Sequence, residues 1–163
     1  MKILLVASSR HGSTEEVANV LADELRQAGL EVDLERPEDV VSVAGYEAFV
    51  IGSAVYLTHW TEEAMDFCGR FREALSAHPV WAFSVGLSGL PKGKISDPHR
   101  IGPVLLALDV EDHLTFAGRF DPNKLSLRER TIAKVGGAAE GDFRDWGEIR
   151  TWARTIVEAL HQS

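Results

Sequence analysis

Cysteine is almost missing from this chain. Cys68 is the single thiol in 163 residues, so no internal disulfide can form and no thiolate metal cluster can be assembled; no metal site is expected. A lone cysteine inside a helical pattern reads as a buried, inert thiol. Long apolar runs are missing too. Ile3-Leu4-Leu5-Val6-Ala7 follows one lysine and stops at Ser8 and Arg10, too short for a secretory signal. No stretch nears the roughly 18 apolar residues of a transmembrane helix. Positive charge is in deficit: 17 Lys and Arg stand against 25 Asp and Glu, a formal net charge of −8. That balance argues against a nucleic-acid face and against attachment to anionic lipid. It suits a docking electron carrier and, equally, plain solubility. The expected setting is the cytoplasm.

Three nucleotide or phosphate signatures are also lacking. No Gly-Lys-Ser/Thr completes a Walker loop, and Gly12 stands alone where a dinucleotide turn needs three glycines. Ala7-Ser8-Ser9 supplies no carboxylates after the first apolar run, which sets aside a phospho-accepting receiver.

What is present is an alternation of apolar runs with amphipathic stretches. The runs predict strands over residues 2–7, 30–35, 48–54, 80–85 and 113–119. Helices are predicted over 14–28, 62–76, 102–108 and 143–160, with a further short one within 127–135. Val17, Ala18, Leu21, Ala22 and Leu25 share one face of the first helix, and Ile149, Trp152, Ala153, Ile156, Val157 and Leu160 form a 3.6-residue stripe on the last. Trp146 and Trp152 are read as packing. The runs 3–7 and 49–52 are continuously apolar, as strands covered on both faces should be; Leu30-Glu31-Val32-Asp33-Leu34 alternates and belongs near an edge. Repeated strand–helix units imply an α/β fold: a three-layer sandwich around a five-stranded parallel sheet in order 2-1-3-4-5, one domain over residues 1–163. That order places a ligand beyond the carboxyl ends of strands 1 and 3.

Three turns meet there. Ser8-Ser9-Arg10-His11-Gly12-Ser13-Thr14 leads from the first strand into the first helix. Unpaired amides at a helix start, a glycine and several hydroxyls suit one terminal phosphate; an ordinary N-cap with Ser13 or Thr14 is the other reading. His11 would act through its backbone N–H, and Arg10 either reaches the phosphate or points outward. The third strand runs on through Ala54, Val55, Tyr56, Leu57, Thr58, His59 and Trp60. Three rings in five positions suit stacking on a flat ring system, and helix packing is the alternative for Trp60. After the fourth strand, Ser84-Val85-Gly86-Leu87-Ser88-Gly89 offers a bendable polar rim, or simply turn chemistry. A cradle, an aromatic wall and a rim at one switch point describe a mononucleotide site, FMN rather than a dinucleotide. A backbone amide near Leu57 could face flavin N5. His59 is the one candidate for a catalytic base, since imidazole titrates near neutrality; a structural His59 is the alternative.

These motifs resemble the flavodoxin-like FMN proteins over nearly the whole chain, and within them the menaquinone-dependent protoporphyrinogen IX dehydrogenase group. Ser8 to Thr14 is similar to that group's Ser-Thr-Arg-x-Gly-x-Thr; Ile51-Gly52-Ser53-Ala54 resembles its Ile-Gly-Ala-Ser, with His59 and Trp60 in step. Phe83-Ser84-Val85 resembles Tyr-Ser-Val, and Asp145-Trp146 with Ile149 and Trp152-Ala153 its final helix. The resemblance implies FMN held by residues 9–14, 54–60 and 84–88. It also implies oxidoreductase or electron-transfer activity, with a redox partner protein or quinone and a porphyrinogen as candidate partners. Where that group carries a longer basic, aromatic insertion, residues 119–139 are short and mildly basic, and His11-Gly12-Ser13-Thr14 replaces the Thr-Gly-Asn-Thr of ordinary flavodoxins.

Overall fold

Alternating side-chain directions along a strand let one sheet feed two cores, and this chain uses both. A computed structural model describes residues 1–9, 12–56, 59–86, 108–116, 119–120, 141–142 and 145–162. Its strands are β1 (Lys2–Ser8), β2 (Glu31–Glu35), β3 (Ala48–Tyr56), β4 (His59–Trp60), β5 (Val80–Val85), β6 (Asp112–Phe116), β7 (Arg119–Phe120) and β8 (Gly141–Asp142). Its α-helices are α1 (Ser13–Gln27), α2 (Glu62–Arg70), α3 (Arg72–Ser76) and α4 (Trp146–His161), with a 3-10 turn at Pro37–Asp39. The five long strands run parallel in the order β2-β1-β3-β5-β6, which among those five is 2-1-3-4-5 as expected.

On one face Ile3, Leu5, Val50 and Phe83 pack against Val17, Leu21 and Leu25 of α1 and against Ile149, Trp152 and Ile156 of α4. On the other, Leu4, Val6, Phe49, Ile51 and Ala82 meet Ala64, Phe67 and Cys68 of α2 and Leu75 of α3. The result is the expected three layers. Each large side chain so buried contributes about 1.5–3 kcal/mol. Residues Ile3 to Ser8 are all buried, whereas β2, which among the described residues pairs only with β1, exposes Glu31 and Glu35. The two tryptophans of α4 pack as expected: Trp152 stands 6.0 Å from Phe83 and 5.6 Å from Phe116, and Trp146 lies against the same core.

Several expectations change. The helix over 62–76 divides at Phe71, whose φ of −112° and ψ of 21° leave the helical range. There Arg70 turns its guanidinium onto the carbonyls of Pro37 (2.8 Å) and Val40 (3.1 Å), tying the helix end to the 3-10 turn. The third strand continues two residues past Ala54 and returns as β4, with Tyr56 opposite His59 and Val55 opposite Trp60. The fifth ends at Phe116 rather than at residue 119, and Arg119–Phe120 pairs instead with Gly141–Asp142 in a separate antiparallel ribbon. The last helix starts at Trp146, because Asp145 caps it by accepting the Glu148 N–H at 3.0 Å. Of the helix expected over 102–108 only Leu108 lies within the described residues; the one within 127–135 lies outside them.

Gly52 is required by a neighbour. A Cβ there would fall onto the Phe83 ring across the β3–β5 pairing. Gly52→Ala should therefore destabilise the fold by about 1–3 kcal/mol, measured by urea denaturation, because a packed core resists overfilling. Burial pushes the Cys68 thiol up to about 12. In the native protein Cys68 should resist a thiol reagent at neutral pH and should react fully once urea has unfolded the chain.

Candidate functional site

Toward the carboxyl ends of β1, β3 and β5 hydroxyls replace aliphatic side chains, and a histidine stands near the start of β6. Ser8, Ser53, Thr61 and Ser84 are all buried, and buried hydroxyls need hydrogen-bond partners. They find them in one another. Ser8 Oγ is hydrogen-bonded to Thr61 Oγ1, joining the end of β1 to the start of α2. Ser53 Oγ accepts the Thr61 N–H at 3.0 Å and donates to the Ala54 carbonyl at 2.8 Å. Thr61 Oγ1 also caps α2 by accepting from the Ala64 N–H at 3.3 Å. Its neighbour Trp60 donates its indole N–H to Ser84 Oγ at 2.8 Å, and His113 Nε2 lies 2.8 Å from that same oxygen. Residues 60 and 61 thus tie together the roots of all three predicted turns.

The turn expected to hold a phosphate follows Ser8 at the end of β1. Ser9 Oγ accepts the Gly12 N–H at 2.8 Å, and the Gly12 carbonyl accepts the Glu16 N–H at 3.0 Å. Gly12 stands at φ 87° and ψ −14° as the residue preceding α1, in the left-handed region that favours glycine. A Cβ built on it would have no neighbour within 4 Å, so open space faces the turn. The capping alternative is corrected here. Neither Ser13 nor Thr14 occupies the N-cap; Gly12 does and offers no side chain, while Thr14 is buried and Ser13 half-buried. The reason is the left-handed step into the helix, which places glycine at that point.

Of the other predicted residues, Ala54 and Val55 are half-buried at the end of β3. Tyr56 and His59 face each other in the β3–β4 ladder. Trp60 is 2% exposed and packs in the α2-side core; its ring forms an internal wall, as the packing alternative had it. Ser84 is turned inward, Val85 is buried on the α4 side, and the Gly86 N–H donates to the Phe116 carbonyl at 3.0 Å. Arg10, His11, Leu57, Thr58, Leu87 and Ser88 lie outside the described residues.

A cavity of about 1010 Å³ opens beside Ser8 and Ser9. Among the described residues its wall carries Glu15, Glu35, Glu38, Asp39 and Glu63 against one guanidinium, Arg36. Such a wall repels an anion. No described helix is long and apolar enough to cross a membrane.

Sequence reasoning missed Ser53, Thr61 and His113. Thr61 had a signal: Thr61-Glu62-Glu63 is the start of a helix with an N-cap hydroxyl and an acidic first turn. His113 had none, since its link to Ser84 spans 29 residues and exists only once β5 and β6 pair.

Comparison with known proteins agrees with this architecture. A flavodoxin domain model matches residues 4–145. A curated relative, the protoporphyrinogen IX dehydrogenase [quinone] of Escherichia coli strain K12, is 29% identical over 89 residues, 53% of this chain and 49% of that protein. The match thus spans about half the length of that relative. Among solved structures, flavodoxin 2 from Bacillus cereus has a TM-score of 0.64 at 18% identity, covering 98% of this chain and 99% of that one. The rubredoxin oxygen:oxidoreductase of the anaerobe Desulfovibrio gigas has a TM-score of 0.66 at 16% identity, covering 99% of this chain and 36% of that one. The strand order and the ligand position at its switch point are themselves the rule known from flavodoxin-type sheets. The chain belongs to the flavodoxin domain family, an FMN-binding flavoprotein fold.

Proposed function

We propose that this flavodoxin-family chain is an FMN-dependent oxidoreductase of the protoporphyrinogen IX dehydrogenase type, working in the cytoplasm. The observation that supports the site is the Ser9–Gly12 turn: a left-handed glycine, an amide already oriented by Ser9, and open space before the first amides of α1. The observation that supports the reaction class is the relationship over 89 residues to the E. coli dehydrogenase. FMN, when bound, would supply the redox chemistry of hydride acceptance from a substrate C–H bond.

The chain's own residues bind, orient and move protons. In this reading residues 9–14 hold the phosphate through amides and hydroxyls, and residues 54–60 and 84–88 border the ring. Removing a hydride from a substrate C–H bond leaves an accompanying proton to be lost, and His59 is proposed to accept it. Its backbone lies on the short return strand beside the proposed ring site. A quinone or a redox partner protein would be the electron acceptor. The carboxylates beside Ser8 and Ser9 disfavour added negative charge on the cofactor and so lower its reduction potential.

That same acidic wall favours a second reading, an electron carrier that docks to a basic partner and takes no organic substrate. Potentiometric titration separates the two. A single two-electron wave is the expected result, and two well-separated one-electron waves would favour the carrier. Anaerobic assay with protoporphyrinogen tests the substrate, and His59→Ala should lower that turnover by about 100-fold. Turnover equal to wild type would remove His59 from the role.

Gly12→Val should weaken FMN binding by about tenfold while leaving the circular dichroism spectrum unchanged, since a β-branched residue strains a left-handed position. Isothermal titration with FMN reads the difference. Equal affinity in the two proteins would place the phosphate elsewhere.

A further inference from the structure

The seam beneath the proposed flavin site contains one group that neither the family relationship nor the proposed mechanism uses. His113 sits on β6, the edge strand of the sheet, in a half-buried position. Its Nε2 lies 2.8 Å from Ser84 Oγ, and its ring meets the Trp60 indole edge-on with centroids 6.5 Å apart. Ser84 is fully buried on β5, and Trp60 is 2% exposed on β4.

The donor inventory fixes the direction of these bonds. An indole N–H can only donate, so Ser84 Oγ accepts from Trp60 Nε1 at 2.8 Å. Ser84 then still has a hydroxyl hydrogen to place, in a position without solvent. The partner at 2.8 Å is His113 Nε2. With Nε2 unprotonated it accepts that hydrogen, and the chain of bonds then runs Trp60 to Ser84 to His113.

We propose that His113 is a positioning residue for the cofactor site: held as the Nδ1–H tautomer, it orients Ser84, which in turn fixes the Trp60 indole and the β3–β4 return. The inference rests on the flavin reading of that return. Trp60 pairs with Val55 and is followed by Thr61, the residue tied to Ser8 and Ser53. Movement of the indole therefore shifts the root of the 54–60 turn relative to the phosphate turn. Ser84 lies two residues before Gly86, so the same oxygen also anchors the root of the 84–88 turn. Through Ser84, His113 sets the distance between these roots.

Two readouts test this, one of them independent of the cofactor. In the apoprotein, the Trp60 indole N–H resonance, assigned by its loss in Trp60→Phe, should shift upfield and exchange faster with water in His113→Phe. His113→Gln, whose amide oxygen can accept from Ser84, should restore it. In the FMN-loaded protein, His113→Phe should weaken cofactor affinity about tenfold, the loss of one buried hydrogen bond, and His113→Gln should recover most of it. A wild-type indole resonance in His113→Phe would overturn the proposal, as would equal losses in the Phe and Gln variants. Should His113→Phe fail to fold, Ser84→Ala replaces it with the same expected loss, and an unchanged indole resonance there overturns the proposal as well. If wild-type protein binds no FMN, the flavin reading fails, while the indole resonance still decides whether His113 holds Trp60.

Discussion

Buried hydroxyls cannot be left unpaired at the end of a parallel sheet, and this constraint organises the site. An unsatisfied buried polar group costs about 1–3 kcal/mol, so Ser8, Ser53, Thr61 and Ser84 are bound to pair with one another or with nearby N–H groups. The seam they form lies where the strands stop and the turns begin. Thr61 and Trp60 are its junction: one reaches β1 and β3, the other reaches β5. An apolar core could close the same space, but it would hold the strand ends without fixing their separation, since dispersion contacts are not directional. Hydrogen bonds of defined length and angle give the turns above them defined positions.

Below the seam the sheet is conventional in its physics. Continuous apolar strands feed both faces, and each face is covered by its own helices. At the boundary between core and seam, steric demand replaces polar demand. Gly52 leaves room for the Phe83 ring, which with Phe116 and Trp152 forms an aromatic cluster under the carboxyl end of β5. The carboxyl end of β5 is therefore firmly packed from beneath.

The turns themselves divide by chemistry. The Ser9–Gly12 turn presents amides and open space, and the adjoining cavity presents carboxylates. In the proposed site, amides beside an acidic wall would confine a phosphate to one narrow place and make electron-rich cofactor states costly. This pairing is common to both functional readings, which is why the distinction between enzyme and carrier rests on measured redox behaviour and not on the shape of the cradle.

Much of this was legible in the residues alone. The period-2 and 3.6 patterns located the five long strands and the first and last helices, since those periods reflect which side chains must leave water. Strand order followed from handed crossovers between short loops, and Gly12 marked the turn at the first switch point. Tertiary structure decided what depends on partners far apart in the chain. The break at Phe71 goes with Arg70 reaching carbonyls some 30 residues away, the inward position of Trp60 depends on Ser84, and the place of His113 depends on the β5–β6 register. Local sequence carries the preferences of the backbone and the sidedness of each element; it does not carry the identity of a hydrogen-bond partner that arrives only when two distant segments pack.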